Sequence, residues 1–100
     1  MKEINHHIAQ IINLCRLHKV RKLYVFGSVL RSDFDKESDI DFIVDFSPID
    51  LYQYADNYFA FKSSLESIFH RPVDLLEEKG IRNPVFRKEL DSHRQLIYGY

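Results

Sequence analysis

Asp39 and Asp41, in the run Ser38-Asp39-Ile40-Asp41-Phe42-Ile43-Val44, are the residues of this chain whose type and spacing best fit a chemical role. The run reads as the opening of a strand, where successive side chains point to opposite faces. The two aspartates therefore share a face, and Ile40 and Phe42 take the other. Their Cα atoms then lie about 6 to 7 Å apart. Ionised carboxylates that close repel each other and drive one pKa upward unless a cation holds them. A divalent metal answers that demand, and magnesium in particular takes one or two carboxylates together with substrate phosphates. A third carboxylate, Asp74, sits in the short strand-like run Val73-Asp74-Leu75-Leu76. Its apolar neighbours predict an inward position, where an unpaired charge is costly and a metal shared with Asp39 and Asp41 would remove the cost.

Upstream, the apolar run Leu23-Tyr24-Val25-Phe26 ends in Gly27-Ser28, with Arg31 close behind. Glycine lets a backbone approach a phosphate closely, and a serine opening a helix offers a hydroxyl and free N–H groups to an anion. Alone, a Gly-Ser pair is an ordinary strand-to-helix turn and an arginine an ordinary surface residue. Joined to Asp39 and Asp41, they make a phosphate site facing a metal site. The acidic residues Asp33, Asp35, Glu37, Asp39 and Asp41 alternate as in a calcium loop, but Ser38 stands where such a loop needs glycine and Val44 where it needs glutamate. Asp33, Asp35 and Glu37 are therefore read as a solvated loop.

Gly27-Ser28, Arg31, Asp39-Ile40-Asp41 and then Asp74 together resemble the signature of the minimal nucleotidyltransferases, a branch of the polymerase-beta-like nucleotidyltransferase superfamily. The resemblance spans nearly the whole chain, and departs from the usual pattern at Leu30 and Ser32. It implies a nucleotidyltransferase fold and a two-metal magnesium site. Asp39, Asp41 and Asp74 would be the catalytic metal ligands, and Gly27, Ser28 and Arg31 would bind the triphosphate of ATP. It further implies kinship with antitoxins whose partner is a HEPN-domain ribonuclease toxin, neutralised by transfer of AMP to a tyrosine hydroxyl. The alternative is a non-catalytic antitoxin that neutralises its partner by contact alone.

The elements that must position these groups are legible from periodicity. Ile4, Ile8, Ile11, Ile12 and Cys15 mark one face of a helix from about Lys2 to His18. Strands are predicted near residues 22–27, 39–46 and 72–76. Ser47-Pro48 reads as a cap and first turn of a long helix carrying Leu51, Tyr54, Ala55, Tyr58, Phe61, Leu65, Ile68 and Phe69. Its aromatic stripe is read as core plus interface rather than a base-stacking platform. His70-Arg71-Pro72 breaks it. Asn83-Pro84 starts a final helix with Phe86, Leu90, His93 and Ile97 on one face, and the apolar tail from Leu96 docks on the chain's own sheet or on a partner. The predicted fold class is α+β: a small mixed sheet flanked by about three helices.

The chain has 100 residues and is expected to form one domain, residues 1–100, with a single modest core. A net charge of −1 argues against a broad nucleic-acid surface. The lone cysteine, Cys15, excludes an internal disulfide and fits a reducing compartment. His6, His7 and His18 read as surface residues rather than ligands. No signal pattern or membrane-length apolar run is present, so a cytoplasmic location is expected. With no residues to spare for an acceptor-binding domain, the acceptor is expected to come from a second protein.

Overall fold

Apolar residues at helical spacing open the chain in the computed structural model, which describes residues 2–26 and 39–99. They form α1 (Lys2–His6) and α2 (Ile8–Leu17) rather than the one predicted helix, because the backbone at His7 leaves helical geometry. The His7 ring is half-buried, edge-on to Phe69 at 5.3 Å, and its Nδ1 bonds Gln10 Oε1 at 3.0 Å. Despite the break, Ile4, Ile11 and Cys15 remain fully buried on one stripe. Burial pushes the Cys15 thiol up to about 12, which leaves it protonated and unreactive. His18, at the end of α2, is buried rather than on the surface, because its ring packs near Phe61 and its Nδ1 lies against the Leu14 carbonyl at 3.0 Å.

The chain then runs through β1 (Val20–Phe26), β2 (Ile40–Phe46), α3 (Leu51–Phe69), β3 (Val73–Glu77), a short 3-10 turn (Glu78–Gly80), α4 (Pro84–His93) and β4 (Gln95–Tyr98). The strands form one mixed sheet in the order β3-β2-β1-β4. β1 pairs antiparallel with β2 and β4, whereas β2 and β3 are parallel, so α3 serves as the crossover that parallel neighbours require. Strict alternation on β2 sends Ile40, Phe42, Val44 and Phe46 into the core. There they meet Leu23 and Val25 of β1, Val73 and Leu75 of β3, and Phe61, Leu65 and Phe69 of α3. The other face of β2 carries Asp41, Ile43 and Asp45. Ile43 and Leu90 of α4 are buried outside the main cluster, and Arg94 lies 4.0 Å over the Tyr24 ring, so the chain beyond β3 covers part of this second face.

Several boundaries differ from expectation. Asp50, not Ser47, caps α3: its carboxylate accepts the Tyr52 N–H at 3.1 Å, while the Ser47 N–H is drawn away to the Lys19 carbonyl at 2.9 Å. Leu51 and Ala55 are exposed rather than on the buried stripe, which narrows to Phe61, Leu65 and Phe69. The helix ends at His70 in the left-handed region (φ 54°) before Pro72. Asn83 caps α4 as predicted, accepting from the Val85 and Phe86 N–H groups at 2.9 and 3.2 Å. α4 stops at His93, however, and Ile97 belongs to β4, which adds a strand to the sheet. The apolar tail thus docks on the chain's own sheet.

β3 is an edge strand, and α3 occupies two of its outward groups. The Val73 N–H donates to Glu66 at 3.0 Å, and the Tyr58 hydroxyl donates to the Leu75 carbonyl at 2.6 Å. Such cover blocks addition of another strand along that edge. Near the far end of β1, Arg21 sits at a bulge and gives Nε and Nη2 to the same oxygen of Asp45 at 2.8 and 2.6 Å.

Candidate active site

Where β2 begins, its first N–H reaches back to the Pro72 carbonyl at 3.3 Å, which levels the starts of β2 and β3. Ile40 therefore lies opposite Val73, and Asp41 opposite Asp74. Register partners share a face, and parallel neighbours sit roughly 4.8 Å apart. Asp39 directly precedes the strand. The three predicted carboxylates are thus brought to one end of the sheet, Asp41 and Asp74 as register partners on the face away from the main core. On the other side of Asp41 stands Phe26, the last described residue of β1 and a half-buried aromatic wall for the pair. Gly27, Ser28 and Arg31 lie outside the described residues.

Asp74 is exposed rather than buried as its neighbours predicted. The apolar residues flanking it, Val73 and Leu75, take the core side of a strand covered on that side only, and alternation leaves Asp74 facing out. Asp39 is exposed and Asp41 half-buried, so the row is open to a substrate from solution.

Like charges directly opposite on neighbouring strands destabilise a sheet by a few tenths to about 1 kcal/mol. Among the described residues, no group of three or more His, Cys, Asp or Glu side chains closes into a ready-made metal cage. The donor chemistry nonetheless fits magnesium, which needs hard oxygen ligands and takes only one or two from protein when phosphates supply the rest. Asp39 and Asp41 meet that requirement, and Asp74 lies beside them in register.

Three further residues stand around this row to which the sequence reading gave no part in the site. Phe26 could have been found as the aromatic immediately before Gly27. Tyr24, on the same face one row further along β1, is held under the Arg94 guanidinium. Arg94 also bonds Glu78 at 2.6 Å and Asp91 at 3.0 Å, and Arg87 bonds the other Glu78 oxygen at 2.6 Å. This network ties the turn after β3 to α4 and the start of β4. Tyr58 is the third: its hydroxyl donates to the Leu75 carbonyl at 2.6 Å, and burial, then the charges of Glu77 and Asp74, raise its pKa.

Residues 9–100 match the family described as polymerase beta, nucleotidyltransferase. A candidate protein adenylyltransferase of Methanocaldococcus jannaschii is 35% identical over 81 residues, covering 81% of this chain and 78% of that protein. Among solved structures, a candidate minimal nucleotidyltransferase superposes with a TM-score of 0.77 at 24% identity, over 94% of this chain and 92% of the other. The structure of a tri-AMPylated Shewanella oneidensis HEPN toxin in complex with MNT antitoxin gives a TM-score of 0.66 at 22% identity, over 96% and 72% of the respective chains. With the family match running over nearly its whole length and its carboxylate row in register, the chain belongs to the polymerase beta nucleotidyltransferase family.

Proposed function

We propose that this chain is an antitoxin that transfers AMP from ATP to a tyrosine hydroxyl of a HEPN-domain ribonuclease toxin and so neutralises it. The observation that carries the reading is the Asp41–Asp74 register pair with Asp39 at the same strand end. It is supported by the relative named for protein adenylylation and by the likeness in fold to the complex of an MNT antitoxin with a tri-AMPylated HEPN toxin. Asp39, Asp41 and Asp74 are the residues that would hold magnesium, as two ions, which when bound neutralises charge on the phosphates. Gly27 and Ser28 bind the triphosphate through backbone N–H and hydroxyl groups, and Arg31 balances its charge. Asp74 accepts the proton of the attacking hydroxyl. A bond forms from that oxygen to the α-phosphorus, the bond to the β-phosphate oxygen breaks, and pyrophosphate leaves.

Residues 1–100 act in this reading as one domain; a radius of gyration of 13.2 Å agrees with the roughly 13 Å of a single compact unit of that length. A cytoplasmic setting is supported by the free, buried Cys15, and no helix among the described residues is long and apolar enough to cross a membrane.

Intact-mass spectrometry of the HEPN-domain protein encoded nearest this chain's gene, incubated with the chain, magnesium and ATP, tests the proposal. A gain of one or more AMP units is expected, absent with the Asp39→Ala/Asp41→Ala variant. Transfer retained by that variant overturns the site assignment. Neutralisation by contact alone draws on the lack of a closed three-carboxylate cluster among the described residues. It predicts an inhibited but unmodified toxin in the same experiment.

A further inference from the structure

Along the outer edge of β3 runs an open groove of about 540 Å³. Leu75 and Leu76 of the strand line one side, Tyr58 of α3 another, and Ile81, Arg82 and Phe86 the approach to α4. Leu76 shares the sheet face of Asp74 and lies about 7 Å further along the strand. The Tyr58 hydroxyl is fixed on the Leu75 carbonyl at 2.6 Å. Through Leu76 the groove therefore begins one strand repeat beyond Asp74.

Beside its lining residues Tyr58 and Phe86 the surface is apolar. Phe59 stands edge-on to Tyr58 at 5.1 Å and is 62% exposed, Phe86 is 43% exposed, and Val85 beside it is 75% exposed. Large aromatics gathered around a concavity are the composition of a protein-binding anchor rather than of ordinary surface. Arg82 is exposed and enters none of the ion pairs formed among the described residues, so it offers a cation to an incoming carboxylate. Side-chain docking is favoured over strand addition, because Tyr58 and Glu66 already occupy two of the outward groups of β3.

The chemistry identifies the occupant. A hydroxyl that reacts beside Asp74 must arrive on a polypeptide that covers the surface next to Asp74, and this groove is that surface. We propose that the groove docks the protein carrying the acceptor hydroxyl, through side chains of an apolar face flanked by a carboxylate that meets Arg82. The inference rests on the protein-modifying reading above.

The test uses the same HEPN-domain protein as probe and compares Phe59→Asp, Phe86→Asp and, away from the groove on α2, the equally exposed-site change Leu17→Asp. Binding is measured in the Asp39→Ala/Asp41→Ala background, so that docking is read without chemistry. Each groove variant weakens binding at least about tenfold, the scale of an interface anchor, while Leu17→Asp leaves it unchanged. In the otherwise wild-type chain, the groove variants slow transfer at sub-saturating acceptor by the same factor, and the affinity for a non-hydrolysable ATP analogue stays put. Unchanged binding by both groove variants, equal loss with Leu17→Asp, or no binding by the parent chain overturns the proposal. Binding that depends on the groove, with no AMP transferred by the wild type, upholds the docking site and overturns the catalytic reading alone.

Discussion

Asp74 bears opposing demands from folding and from chemistry. Facing Asp41 across a parallel pair, it adds like-charge repulsion that the sheet would be better without, by about 0.2–1 kcal/mol. Asp74→Asn is therefore expected to raise metal-free stability by that amount in urea denaturation. On the proposed mechanism, the same change is expected to lower the turnover of AMP transfer by about 10²-fold or more, with nucleotide affinity little altered, because there Asp74 accepts a proton rather than contacting a phosphate. Steady-state kinetics beside a nucleotide titration checks both halves. Arg21 shows the converse. Both its hydrogen bonds end on one oxygen of Asp45, whose second oxygen is buried without a hydrogen-bond partner. Arg21 itself is half exposed, so its Coulombic contribution is modest. Removing it by Arg21→Ala nevertheless leaves a buried carboxylate bare, with an expected loss of about 1–3 kcal/mol, measurable as a shift in the urea midpoint.

At the scale of elements, period-2 alternation made β2 legible, because one face is fully apolar and the other begins with two aspartates. The parallel partner was legible from Pro72 and the short apolar run after it. What the residues could not convey was that β3 is covered on one side only, and this is why Asp74 was read as buried and is exposed. The long helix was clear from its stripe, yet its cap was misread: Ser47 and Pro48 have the right chemistry, but tertiary pairing of the Ser47 N–H with Lys19 moved the start to Asp50. β4 was missed because Leu96-Ile97-Tyr98 is too short to carry a period of its own, and Ile97 also satisfies helical spacing from His93. Gly99 is the signal that could have ended that helix early. It adopts φ 103°, and a Cβ there would collide with the Arg21 carbonyl oxygen. Gly99→Ala is accordingly expected to destabilise the protein by more than about 1 kcal/mol, with the amides shared by β1 and β4 losing exchange protection first. The carboxylate row was legible as residue types; its register across two strands required the sheet.

Over the whole molecule, the functional groups gather at one sheet end while the helices α1, α2 and α3 back the opposite face. Chemistry at the row is thereby separated from the core that stabilises it, so substitutions among Asp39, Asp41 and Asp74 are expected to leave the fold intact. Among the described residues, exposed aromatics of α3 and α4, Phe59 and Phe86, stand near the groove beside β3.

Because β2 and β3 run parallel, the three aspartates also differ in when they meet. Asp39 and Asp41 enter the sheet as soon as β2 finds β1, an antiparallel pairing close in the chain. Asp74 waits until all of α3 has formed and laid Glu66 and Tyr58 against the edge that it occupies. Long-range closures of this kind come late, since their loop entropy must be met before any contact repays it. In pulse-labelled refolding, the amides joining β1 to β2 are expected to gain protection before that of Val73; simultaneous protection would contradict this order. A newly made chain would thus hold two of its carboxylates before it holds the third, and its reactivity would begin only with the last crossover in place.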